Sequence, residues 1–200
     1  MTEEAGARER ILAAAEELFA RDGFDATPTS RIAERAGVPK GLVHYYFRRK
    51  PDLLAALVEH LPADTVDSAQ VVVAGDVAAS LHRLVDALDR ALDASAVLSH
   101  LLWREADTHP AVLAELEVRF DRLVALIGDV VAAARPAGAP PADVDSAARL
   151  LASAVSHRHA VARHADDGQE TMHRELRFLA AALAAGAGAR PGPRPAAGAG

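Results

Sequence analysis

Apolar residues that recur every three or four positions constrain the fold of this chain more than any other feature of its sequence. The clearest run consists of Leu113, Leu116, Phe120, Leu123, Ile127 and Val130. Such spacing places the apolar side chains on one face of a helix. Half of the residues are hydrophobic but only 4% are aromatic, so the core is expected to consist mainly of Ala, Leu and Val, and Ala and Leu favour helices. The sequence therefore predicts an all-α protein.

Breaker residues between these apolar stripes predict about nine helices. The first is expected over 5–22, where Asp22-Gly23 ends it, and the next three are short and extend to about residue 61. The pattern between 63 and 74 does not distinguish a kinked fourth helix from a loop. The later stripes predict helices over 77–92, 95–106, 110–134, 143–165 and 169–185.

Composition excludes several classes of protein. No apolar run approaches the roughly 18 residues that a membrane span requires, and the acidic start lacks the pattern of a signal peptide. There is no cysteine, so disulfides and thiolate metal sites are excluded. Residues 186–200 contain only Gly, Ala and Pro besides two arginines, which predicts a disordered tail. We expect a cytoplasmic helical protein.

The segment TSRIAERAGVPKGLVHYYF, residues 29–47, contains two short helical patterns around a Gly- and Pro-containing break. This arrangement is typical of a helix-turn-helix over 28–47, whose second helix enters the major groove of DNA. Thr27 is a candidate N-cap for its first helix, and Gly37 suits the left-handed residue after that helix. At about 100° per residue, Val43 and Phe47 lie on the inner side of the second helix, and Gly41 and Tyr45 point outward.

The charge of this segment differs from that of the whole chain. The net charge of the chain is −6, yet residues 31–50 contain six cationic side chains and a single anionic one, Glu34, which gives a local net charge of +5. The six are Arg31, Arg35, Lys40, Arg48, Arg49 and Lys50. A basic patch on an acidic body can bind a polyanion, although charge alone leaves open a chance cluster on a solvated face.

Residues 8–57, RERILAAAEELFARDGFDATPTSRIAERAGVPKGLVHYYFRRKPDLLAAL, resemble the DNA-binding domain of TetR/AcrR transcriptional regulators. The shared motifs are Arg-x-x-Ile-Leu, Glu-Leu-Phe, Gly-Phe-x-Ala-Thr, Ile-Ala-x-x-Ala-Gly-Val, and Lys-Gly before an aromatic cluster. The resemblance implies a DNA-binding domain over 5–65 and a ligand-binding and dimerisation domain over 66–185. It further implies a homodimer, usually a repressor, that binds a palindromic operator and is released by a small molecule, with no cofactor.

The resemblance also implies which residues contact DNA. They are Thr27, Thr29, Lys40, Gly41, Leu42, His44, Tyr45, Tyr46 and Lys50. Lys50 matches the family's phosphate-binding lysine and Thr27 its cap residue, while the tyrosines are alternatively partly buried core residues. Three positions depart from the family's usual pattern. Pro39 stands where the family often has Ser, Leu42 where it often has a small or polar residue, and His44 where it commonly has Tyr. These departures leave the binding mode intact and the operator sequence open.

In the C-terminal half the resemblance is one of architecture alone. It implies that the last two helices form the dimer interface. The candidate residues are Leu151, Met172, Leu176, Leu179 and Leu183, whose alternative place is the core of their own subunit. His100, Trp103 and Phe120 are candidates for the ligand pocket, and core packing is again the alternative.

Other functions have weaker support in the sequence. Seven histidines follow residue 80, but His157 and His159 point to different helix faces, and His157 and His164 lie two turns apart. There is no His-Glu-x-x-His or paired-carboxylate pattern, so we predict neither an enzyme nor a metal site. A metal-responsive regulator and a helical adaptor that has lost DNA binding remain alternatives.

Overall fold

The computed structural model describes residues 2–58, 61, 66–93, 96–161 and 168–185, and within these ranges all regular structure is α-helical. The helices are α1 (Thr2–Asp22), α2 (Thr29–Ala36), α3 (Lys40–Tyr46), α4 (Lys50–Val58), α5 (Ser68–Val71), α6 (Val77–Asp93), α7 (Ala96–Ala106), α8 (Pro110–Ala134), α9 (Val144–Val161) and α10 (Gly168–Ala185). The all-α prediction is confirmed, and the short α5 was not predicted. The tail 186–200, the predicted domain boundary at 65 and His164 lie outside the described residues.

The first hydrophobic cluster, which we call the N-terminal core, joins helices that are distant in sequence. The buried side chains of α1 to α4 form most of it, and α7 and the start of α8 complete it. The completing residues are Leu98, Leu101, Leu102, Ala106, Val112 and Leu116. Helices α1 and α4, which flank the helix-turn-helix, are therefore packed against α7 and α8, which follow α5 and α6 in the chain.

The second cluster, the C-terminal core, lies between α6, α8, α9 and α10. It contains all five residues that the sequence analysis assigned to the dimer interface: Leu151, Met172, Leu176, Leu179 and Leu183. All five are buried within the subunit, which is the alternative that the sequence left open, while Leu151 and Leu179 also line a surface groove between α9 and α10. An ion pair between Arg158 of α9 and Asp89 of α6 also joins two of these helices.

The 25-residue helix α8 belongs to both cores. Val112 and Leu116 pack in the N-terminal core, and its buried residues from Leu123 to Ala134 pack in the C-terminal core. Leu113, which the sequence analysis placed on the buried stripe, is 42% exposed. Its neighbour Val112 is buried instead, because the first turn of α8 packs in the N-terminal core rather than in the C-terminal core. None of the described helices is long and apolar enough to cross a membrane.

Candidate nucleic-acid interface

The turn between α2 and α3 has the geometry that its glycine predicts. Gly37 has φ of 64°, a left-handed conformation that glycine adopts without steric cost. The N–H of Val38 donates to the carbonyl of Ala33 at 3.0 Å, and the N–H of Gly37 to that of Glu34 at 3.1 Å. These bonds satisfy the last carbonyls of α2, and α3 begins two residues later.

Helix α3 is anchored on one side only. Val43 is its single buried residue, and Phe47, which follows it, is also buried. Gly41 and His44 are exposed, and Tyr45 is 71% exposed. The predicted inner and outer faces of this helix are confirmed. A helix held this way presents its outward side chains free of internal packing.

Tyr46 lies between these two faces. It is half-buried and packs against the N-terminal core, and its ring meets the ring of Tyr45 edge to face at 5.2 Å between centroids. Tyr46 thus has the partly buried position that the sequence analysis left open. The contact also limits the rotation of the exposed Tyr45 ring.

Thr27 does not cap α2. The N-cap of α2 is Pro28, and no side chain there accepts a hydrogen bond. Thr27 is fully buried, and its hydroxyl bonds the Gly23 carbonyl at 2.8 Å and lies 3.4 Å from that of Leu18. The residue satisfies the carbonyls at the end of α1, and its burial removes it from the candidate DNA contacts.

Lys50 is turned toward the protein. Its Nζ donates to the Asp25 carbonyl at 3.2 Å and lies 4.3 Å from the centre of the Phe24 ring. Burial lowers the pKa of Lys50, while Asp25 and Glu105 oppose the shift. In this position the ammonium stabilises the loop after α1 with one of its three N–H groups, and its role as a phosphate contact stays a prediction.

Carboxylates from outside the basic segment neutralise part of it. Arg31 pairs with Asp22, Arg35 with Glu17, and Arg49 with Asp52. Counting these three carboxylates lowers the local balance from +5 to +2. Lys40 and Arg48 are exposed, and neither makes an ion pair with any described residue. The positive charge is therefore concentrated at the two ends of α3.

Gly41 has no structural explanation within the chain. It lies in the first turn of α3, where a methyl group would meet no atom within 4 Å, and its φ is not in the left-handed region. Glycine costs about 1 kcal/mol relative to alanine in a helix. Its retention here favours a close approach by another molecule to the backbone of α3.

Two comparisons locate this segment among known proteins. A family model described as bacterial regulatory proteins, tetR family, matches residues 11–57. An HTH-type transcriptional regulator of Bacillus subtilis, YvdT, is 35% identical over 71 residues, which are 36% of this chain and 37% of that protein. The fatty acid metabolism regulator protein of the same species is 40% identical over 48 residues, 24% of this chain and 25% of that protein. Both matches span well under half of the relatives' own lengths.

Solved structures extend the likeness of the fold beyond this segment. A TetR transcription regulator from Haloarcula marismortui has a TM-score of 0.69 and 23% identity, over 91% of this chain and 98% of that one. A TetR transcriptional regulator from Legionella pneumophila has a TM-score of 0.63 and 19% identity, over 86% and 96%.

Residues 11–57 are thus similar to bacterial regulatory proteins of the tetR family, and the fold is similar to that of solved TetR regulators. Helices α2 and α3 lie within the matched segment and form its helix-turn-helix, with α3 in the position of the recognition helix. The matched relatives are named as regulators, in agreement with the prediction that the chain is not an enzyme. Among the described residues, no group of three or more His, Cys, Asp or Glu lies close enough together to hold a metal ion.

The structure brings two of the three predicted ligand residues to one cavity. Trp103 and Phe120 line a small cavity of about 40 Å³ between α6, α7, α8 and α9, with Leu61 beyond the end of α4 on its wall. His100 lies on the same helix as Trp103 but is not among the lining residues. Sequence reasoning missed Arg119, which lies on the cavity wall with its neighbour Phe120.

The last two helices expose apolar residues that were not predicted. Leu150 of α9 is 62% exposed and Phe178 of α10 is 72% exposed. Both border a shallow, mainly apolar groove between these helices, with Arg174 and Glu175 at its edge. The sequence signal for this exposed surface was weak: each helix has a single bulky apolar residue there, away from its buried apolar stripe.

Proposed function

We propose that this protein is a TetR-family repressor that binds a palindromic DNA operator as a homodimer and is released by a small-molecule effector. A DNA partner implies action in the cytoplasm. The proposal rests on the recognition helix, on the exposed apolar groove of the last two helices, and on the cavity beside α4.

The observation that carries DNA binding is the outer surface of α3. Tyr45 and His44 point outward from a helix anchored by Val43, and exposed cations flank them at Lys40 and Arg48. Outward side chains of a recognition helix meet base edges, and cations at its ends meet phosphates. The bare backbone at Gly41 allows the start of the helix to approach the DNA.

Dimerisation is supported by the groove between α9 and α10. One recognition helix of seven residues contacts too few base pairs for useful specificity, so two copies are needed. Leu150 and Phe178 offer an exposed apolar surface, and isolated surfaces of this kind commonly mark interfaces. We assign the dimer interface to this groove, which Leu151 and Leu179 from the residues named in the sequence analysis also line.

The test is selection of bound sequences from random duplex DNA with the purified full chain, repeated over a range of salt concentrations. We expect an enriched inverted repeat and an affinity that falls steeply with salt, because phosphate contacts release counterions. A folded dimer that enriches no sequence would contradict the proposal and favour the adaptor function.

A further inference from the structure

The cavity that Trp103 and Phe120 line is apolar except at a few points. Its polar lining residues are Arg119, Ser99 and Ser156. At about 40 Å³ it holds little more than one water molecule. Any effector must therefore enlarge it.

A route for enlargement lies on its outer side. Trp103, Leu116 and Phe120 also line a groove of about 340 Å³ on the surface of α7 and α8. The same three side chains thus separate the cavity from solvent. Trp103 is 37% exposed, so its ring has fewer packing contacts to lose than the fully buried core residues when it moves aside.

Arg119 connects this cavity to the helix that follows the helix-turn-helix. Its Nη1 donates to the carbonyl of Leu61 at 2.7 Å. Leu61 is buried, and its own N–H donates to the carbonyl of Val58, the last residue of α4. At the opposite end of α4, about 14 Å away, Lys50 bonds the loop after α1. The Arg119 bond therefore fixes one end of the helix whose other end contacts the DNA-binding domain.

We propose that the effector is a small carboxylic acid with an apolar body, and that its carboxylate takes the Arg119 guanidinium from the Leu61 carbonyl. This inference rests on the proposed function. A guanidinium can hold a carboxylate through two parallel hydrogen bonds between opposite charges, whereas the Leu61 carbonyl accepts a single bond, so the exchange favours the carboxylate. The apolar body occupies the space that Trp103 vacates. Loss of the Leu61 bond frees the end of α4 and shifts the recognition helices relative to the operator.

The experiment uses the full chain and two probes with the same apolar body, sodium hexanoate and hexan-1-ol. Trp103 is the only tryptophan, so its fluorescence reports on the cavity, and operator affinity is measured in parallel. We expect saturable binding of hexanoate at least tenfold tighter than that of hexanol, and an operator affinity at least tenfold weaker with hexanoate. This comparison needs no variant.

Two matched variants test whether Arg119 is the residue that binds the carboxylate. Arg119→Gln should bind hexanoate at least tenfold more weakly and hexanol as before. Arg122→Gln, less than one turn further along α8 and exposed, should behave like the unmodified protein. Equal affinity for both probes, no saturable signal with either, or an Arg119→Gln variant that keeps the preference would each overturn the inference. Operator binding without any probe tests the proposed function separately, so a protein that binds its operator but ignores hexanoate refutes the effector alone.

Discussion

Helix α3 and helix α10 each expose one large aromatic side chain, and the two exposures have different surroundings. Tyr45 on α3 is 71% exposed and lies on the same short helix as the exposed cation Lys40, with Arg48 just beyond its end. Phe178 on α10 is 72% exposed, and its neighbours are Leu150 and a cation and an anion side by side, Arg174 and Glu175.

The difference indicates what each surface binds. An amphipathic ring with cations near it suits a polyanion, to which the hydroxyl can donate. A purely apolar ring beside balanced charges suits another protein surface of the same kind, because opposite charges on two copies related by a twofold axis can pair. The charge around an exposed aromatic residue therefore distinguishes the two ends of this molecule.

The largest expected effect comes from removing the outward groups of α3. Tyr45→Ala combined with Lys40→Ala should weaken operator binding by about 100-fold or more, since each lost base or phosphate contact contributes about 1–3 kcal/mol. Fluorescence anisotropy with the selected operator measures it. The dimer should remain intact by analytical ultracentrifugation. Unchanged operator affinity would show that α3 does not read the DNA.

A smaller loss of DNA affinity should follow from charging the other surface. Phe178→Glu together with Leu150→Glu places four like charges in the dimer interface and should yield folded monomers by analytical ultracentrifugation. Operator affinity then falls because one recognition helix binds alone. Val118→Glu is the matched control, since Val118 is an exposed apolar residue of α8, 45% accessible. A double variant that stays dimeric would show that the dimer interface lies elsewhere on the protein.

The smallest effect separates stability from binding at Gly41. Gly41→Ala should stabilise the protein by about 1 kcal/mol, which raises Tm by roughly 2–4 °C in a chain of this size. It should nevertheless weaken operator binding, because the methyl group occupies space that the DNA needs. Gly128→Ala, at a helical glycine of α8 where a methyl also meets nothing within 4 Å, should stabilise the protein without affecting DNA. Equal operator affinity in both variants would mean that the DNA does not approach Gly41.

The sequence was a good guide to α3 and a poor guide to α10. Helix α3 has one buried residue, Val43, so a correct prediction of its inner side also predicted its outer side. Helix α10 has a strong stripe from Met172 to Leu183 and a single apolar residue elsewhere, Phe178. The stronger stripe packs in the core of its own subunit, and Phe178 stays exposed on the surface that we propose as the dimer interface. The apolar periodicity of the sequence predicts the buried stripe but does not predict which exposed surface binds a partner.

The differences at the candidate sites have two physical causes. Thr27 fits the local pattern of an N-cap, but its hydroxyl bonds the carbonyl of Gly23 four residues earlier, in the turn after α1. Lys50 and Arg119 bond the carbonyls of Asp25 and Leu61, which lie 25 and 58 residues away. Only tertiary packing supplies these last two partners, and no local spacing rule includes them.

The shared packing of the N-terminal core has a consequence for synthesis of the chain on the ribosome. Helices α1 to α4 are complete once Val58 has been made, but their core lacks the side chains of α7 and α8 until Leu116 follows. At typical translation speeds this interval lasts roughly 3–12 s. During that time the nascent segment exposes apolar surface that the finished protein covers, so it is a substrate for chaperones and proteases before it is a DNA-binding domain.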